Sequence, residues 1–137
     1  MQKEKNHLLM VEDNESYFVA LKASIKRCGI PLEVDRVEDG DALLPYLKTQ
    51  QKPDLILMDI NMDRMSGLEA LRHVKKEPVF KLIPVVMLTT SGRAQDIQEA
   101  YQNHANAYIR KPYDDHGFDR VVIGLYDFWF SLALLPQ

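Results

Sequence analysis

Three short runs without a polar residue, LLMV at 8–11, LILM at 55–58 and VVML at 85–88, constrain the fold of this chain most strongly. Apolar runs of that length, bounded by polar residues, suit strands covered on both faces, as in a parallel sheet. Segments with helical spacing lie between them. Phe18, Leu21, Ile25 and Cys28 share one helical face, opened by the capping-type residues Asp13, Asn14 and Ser16. Leu68, Leu71 and Val74 form a second stripe after Gly67, and Ile97, Ala100, Tyr101 and His104 suggest a third. Residues 32–37 alternate less cleanly and carry Glu33, Asp35 and Arg36, which fits an edge strand, while 107–109 fits a short last strand. A helix over about 41–48 contains Pro45, which deletes one backbone donor and crowds the carbonyl of Asp41, so a kink or a late start is expected there. Strand alternating with helix five times predicts a doubly wound α/β sheet of parallel strands.

At 137 residues, with no repeat, low-complexity tract or linker-like stretch, the chain is expected to form one domain over 1–137. A net charge of −3 and the lack of a long basic run give no electrostatic reason to expect nucleic acid as a partner. Cys28 is the only cysteine, so no internal disulfide can form. The apolar stretch near the N-terminus is too short for a signal peptide or a membrane span, and the expected location is the cytoplasm.

The residues just after each strand carry the chemistry. The first apolar run is followed by Glu12-Asp13, the third strand by Asp59, the fourth by Thr89-Thr90-Ser91, and the fifth by Arg110-Lys111-Pro112. In an open parallel sheet the carboxyl ends of the strands face one edge, and ligands bind in the crevice there. Polar groups from distant positions are thus delivered to one pocket. Three crowded carboxylates repel unless a cation joins them. Hard oxygen ligands without His or Cys nearby select Mg²⁺ or Mn²⁺ over zinc. Lys111 offers a compact positive charge to a phosphoryl oxygen, and Thr89 a hydroxyl donor. Phosphoryl transfer needs mainly positioning and charge neutralisation, and a carboxylate such as Asp59 is a competent nucleophile for it.

The segments LLMVEDN at 8–14, DLILMDINM at 54–62, SG at 66–67, PVVMLTT at 84–90 and AYIRKP at 107–112 resemble the receiver domain of two-component response regulators, and the match covers nearly the whole chain. The resemblance implies a flavodoxin-like fold, five parallel strands in the order 2-1-3-4-5 flanked by five helices. It implies Asp59 as phosphoacceptor, with Mg²⁺ (or Mn²⁺) on Asp13, Asp59 and the main-chain carbonyl of Asn61, and Glu12 reaching the metal through water. Lys111 would pair with the phosphoryl group, Thr89 would move to bond it, and Tyr108 would be the aromatic that tracks that movement. The sequence departs from the family at Asp63, where Pro is usual, and at Ser66, where Asp is usual; both lie in the loop after the third strand.

Taken alone, Glu12-Asp13 reads more readily as an acidic helix start, and Asp59 with Lys111 reverses that preference. Thr90, Arg110 and Cys28 read as neighbours or core, and His7, His73, His104 and His116 share no metal spacing. The tail differs. In residues 128–135 (FWFSLALL) only Ser131 is polar. A helix from Asp115 to about residue 135 would turn Phe118, Val122, Leu125, Trp129 and Leu132 inward, leaving Phe128, Phe130 and Leu134 outside, and would run past the domain. An apolar extension at 127–137, including Trp129, is therefore expected to be a homodimer interface. The DFW at 127–129, with LP shortly after, and the LTTS after the fourth strand resemble the small response regulators paired with bacterial phytochromes.

These features together indicate a stand-alone receiver, not an enzyme, phosphorylated by a histidine kinase and signalling through protein contacts. The resemblance to the phytochrome-paired regulators implies a phytochrome kinase as that partner. A phosphohydrolase of haloacid dehalogenase type would want a second carboxylate two residues after its nucleophile, where Asn61 stands. A phosphorylation-independent binding module would have no use for the complete set of Glu12, Asp13, Asp59, Thr89 and Lys111.

Overall fold

The computed structural model describes residues 6–136. Five parallel strands, β1 (Asn6–Val11), β2 (Leu32–Val37), β3 (Leu55–Met58), β4 (Val85–Thr89) and β5 (Ala107–Arg110), form one sheet in the order β2-β1-β3-β4-β5. The helices between and after them are α1 (Glu15–Arg27), α2 (Gly40–Thr49), α3 (Gly67–Lys76), α4 (Ala94–Gln102) and α5 (Asp115–Leu125). Among the described residues, no helix is long and apolar enough to cross a membrane.

Strand residues alternate between two cores, as the two-residue period of a strand requires. Leu8, Met10, Leu55, Leu57, Val86 and Leu88 pack with Leu21 and Ile25 of α1 and Phe118, Val122 and Leu125 of α5. Leu9, Val11, Ile56, Met58, Val85 and Met87 pack with α2, α3 and Ala100 of α4 on the other face. Burial on both faces explains why the runs 8–11, 55–58 and 85–88 carry no polar residue. At the sheet's edge, β2 alternates buried and exposed residues, and His7 of β1 reaches across to Asp35 at 2.7 Å. Buried Ser24 of α1 donates to Asp119 of α5 at 2.6 Å. Hydrogen bonds from Arg27 and Ser24 hold the Asp119 carboxyl down at about 2.

Three expectations need correction. Helix α2 starts early, at Gly40, because the Asp39 side chain caps it by accepting from the Ala42 N–H, and the helix runs over Pro45 instead of starting late. The stripe of α4 reduces to Ala100 and half-buried Ile97, for Tyr101 is exposed. The helix has ended before His104, which takes the left-handed conformation (φ 72°) usual just past a helix end.

The third correction concerns the tail. Helix α5 does not continue to residue 135. Tyr126–Leu132 forms a π-helical segment with wider turns, and the chain leaves it at Ala133, whose N–H donates to the Phe128 carbonyl five residues back. The wider turn rotates the side chains out of α-helical register. Leu132, expected inside, is 76% exposed, whereas Phe130, expected outside, packs half-buried against the α1/α5 core beside Trp129. Phe128 and Leu134 do face outward, at 52% and 99% exposure. The chain then folds back instead of projecting. Pro136 lines a pocket with Pro53 and Asp54 before β3 and with Ile83 and Pro84 before β4.

Candidate functional site

Parallel register brings the ends of β1, β3, β4 and β5 to one edge, and backbone hydrogen bonds carry the ladder one residue further. The Glu12 N–H donates to the Val37 carbonyl at 3.0 Å, Asp59 to Val11 at 3.1 Å, and Lys111 to Thr89 at 2.7 Å. The residues after the strands are therefore held almost as firmly as the strands themselves. Gly67 secures the acceptor loop from the other side. Its N–H donates to the Ile60 carbonyl at 2.9 Å, and any side chain at 67 would collide with the Asp59 carbonyl oxygen. Only glycine lets α3 close on that backbone. Ser66 takes up the capping role open to an Asp at its position, its hydroxyl accepting from the Glu69 N–H at 3.2 Å.

Glu12, Asp13 and Asp59 each place a carboxylate oxygen within 4.8 Å of the others. Glu12 is 1% exposed and Asp59 5%, while Asp13 is half-buried. Lys111, itself buried, puts its Nζ 2.6 Å from Glu12 Oε1 and 3.1 Å from Asp59 Oδ2. The contact with Asp59 is a hydrogen bond, whereas Glu12 Oε1 has an ion pair but no aligned donor. Burial pushes the Glu12 carboxyl up to about 7, against the lowering contact with Lys111 and with a further rise from the Asp59 charge. One lysine thus balances only part of the negative charge. Three carboxylates with oxygens within 4.8 Å of one another, against one lysine and with no His or Cys among them, fit a small divalent cation such as Mg²⁺ or Mn²⁺. Asn61 lies next to the acceptor, its N–H 3.4 Å from Asp59 Oδ1.

Thr89 is fully buried, and its hydroxyl accepts weakly from the Ser91 N–H at 3.4 Å. The Tyr108 hydroxyl donates to the Ser91 carbonyl at 2.9 Å. Thr89 and Tyr108 therefore meet at Ser91, which the sequence placed at this edge without a role of its own. Tyr17 was missed as well. Its ring lies under the Lys111 ammonium, 3.7 Å from centroid to Nζ. The signal available was position, one helical turn after Asp13 on a helix that begins at the site. The four histidines do not gather here. From Thr90 and Lys111 a groove of about 1090 Å³ runs along β5 and α5 to Phe128 and Trp129.

A family model, the response regulator receiver domain, matches residues 8–122. The chain belongs to that family. The crystal structure of the phosphorylated cyanobacterial phytochrome response regulator RcpA superimposes with a TM-score of 0.90 at 34% identity, covering 97% of this chain and 99% of that one. Response regulator Rcp1 of Synechocystis is 33% identical over 135 residues, 94% of this chain and 92% of its own. The Mn²⁺-bound form of Rcp1 superimposes with a TM-score of 0.86 at 32% identity, covering 96% of this chain and 99% of that one. The probable methanogenesis regulatory protein FilR2 of Methanothrix harundinacea is 32% identical over 134 residues, 94% of this chain and 86% of its own. The fold and the receiver assignment expected from the motifs are therefore correct.

Proposed function

We propose that this receiver is a phosphorylation switch in which Asp59 is the acceptor. One observation carries the reading: Asp59 is buried at a strand end, hydrogen-bonded to Lys111 and grouped with Glu12 and Asp13. A metal ion would be held by Asp13, Asp59 and the Asn61 carbonyl, with Glu12 acting through water. When bound, it would neutralise charge on the carboxylates and on the incoming phosphoryl oxygens. Asp59 forms a P–O bond as the donor's P–N bond breaks, the donor being a histidine kinase. Lys111 exchanges its carboxylate partners for a phosphoryl oxygen, and the Thr89 hydroxyl turns to donate to another. Because Thr89 and Tyr108 share Ser91, that movement reaches β5 and the groove beside α5. Uptake of one phosphoryl group from acetyl phosphate, dependent on Mg²⁺ and lost with EDTA, tests this reading by intact mass.

The likeness to RcpA and Rcp1 supports a kinase of the phytochrome type as the donor. Residues 1–137 act as one receiver domain in the cytoplasm, with 127–137 as its apolar extension. That extension joins two copies in a symmetric dimer through Phe128 and Leu134, with the half-buried Trp129 and Phe130 beneath them. The support is the exposure of Phe128 and Leu134 together with the edge-to-face contact of Phe128 and Trp129 at 5.0 Å. Sedimentation at micromolar concentration should give a dimer for the wild type and a monomer for Phe128→Ser, Leu134→Ser. A monomeric wild type contradicts the dimer.

A further inference from the structure

We infer that Tyr17 is a positioning residue for phosphoryl transfer, acting by holding the Lys111 ammonium over its ring; the inference rests on Asp59 being the acceptor. The Lys111 side chain is almost fully buried, so its charge has lost most of its water. Two carboxylates and one aromatic face replace that water: Glu12, Asp59 and Tyr17, whose ring centroid lies 3.7 Å from Nζ. At that distance the ring quadrupole attracts the cation directly, and the attraction grows where water is excluded. The ring is itself held in place. Tyr17 sits in the first turns of α1, its N–H donating to the Asn14 carbonyl at 3.2 Å, and its ring is 6.4 Å from that of Phe118 on α5.

The geometry gives Tyr17 a role the carboxylates cannot fill. Glu12 and Asp59 compete with an incoming phosphoryl group for the ammonium, and a metal ion would take their charge. The aromatic face has no such competitor and stays with the cation whichever oxygens Nζ faces. Tyr17 therefore keeps Nζ beside Asp59 while the partners of the ammonium change, which reduces the reorganisation needed at the moment of transfer. No hydroxyl chemistry is required, so Phe at this position should serve as well as Tyr.

The test compares initial rates of labelling by acetyl phosphate at saturating Mg²⁺. Tyr17→Phe should label at the wild-type rate, and Tyr17→Leu should be slower by about three- to thirty-fold, the range a cation–π contact covers. Pentafluorophenylalanine in place of Tyr17 keeps the shape and inverts the quadrupole, so it should be as slow as Tyr17→Leu even if the leucine variant folds poorly. In a Lys111→Met background the same replacements should change nothing further, because Tyr17 acts through that lysine. A fluorinated variant as fast as Tyr17→Phe, or an equal slowing without Lys111, overturns the inference while the acceptor assignment stands. A wild type that takes up no phosphoryl group overturns the acceptor assignment instead.

Discussion

Lys111→Met should destabilise the protein in EDTA by about 3 kcal/mol and slow phosphoryl uptake by at least about tenfold. The lysine is the cation paired with both buried carboxylates, Glu12 and Asp59. Removing it leaves two buried carboxyl groups without their cation, and breaking a buried pair from one side is far more costly than losing an exposed one. In melting temperature the loss corresponds to roughly 10 °C for a chain of this size. Its pH dependence has a definite sign. Glu12 has its pKa raised from 4.5 to about 7 in the folded state, so folding favours the protonated form. Stability from that source is present below 4.5 and lost as pH rises through about 7. Without Lys111 the rise is greater still, so the variant should lose more at pH 8 than at pH 6. Melts of both proteins in EDTA at the two pH values check this, and equal melting temperatures would contradict it.

Saturating Mg²⁺ should raise the melting temperature of the unphosphorylated wild type by roughly 8 °C over EDTA. A ligand at 100 times its dissociation constant adds about 2.7 kcal/mol, and that converts to the expected shift at about 3 °C per kcal/mol. The cause is relief of the repulsion that Lys111 leaves uncompensated among Glu12, Asp13 and Asp59. Asp13→Ala should abolish the Mg²⁺ response and, by removing one of the repelling charges, should not lower stability in EDTA. Thermal melts with and without the ion provide the check, and an undiminished response in Asp13→Ala would place the cation elsewhere.

The parts of this molecule that were legible in the sequence are those with one dominant cause. Residues 8–11, 55–58 and 85–88 of β1, β3 and β4 are buried on both faces, and an unbroken apolar run is what satisfies that. The site was legible because parallel topology forces strand ends together, so Glu12, Asp59, Thr89 and Lys111 could be assembled without knowing a distance. The features that stayed hidden depend on local competition. Residues 126–132 are apolar nearly all round, and a side-chain pattern of that kind does not separate an α-helix from a π-helix; the choice rests on backbone bonding. His104 takes the left-handed conformation just past α4 where glycine would have announced it. Tyr17 was given no part in the sequence pattern, because a contact with a lysine 94 positions away leaves no mark on local periodicity.

The central claim is that Asp59 is where the phosphoryl group goes. Incubation with acetyl phosphate and Mg²⁺, then borohydride trapping and peptide mass spectrometry, locates the modified carboxylate. The label should fall on Asp59 alone and vanish in Asp59→Asn while that variant keeps the fold of the wild type. Label on Asp13 or Glu12 in the wild type, or undiminished label in Asp59→Asn, would contradict the account.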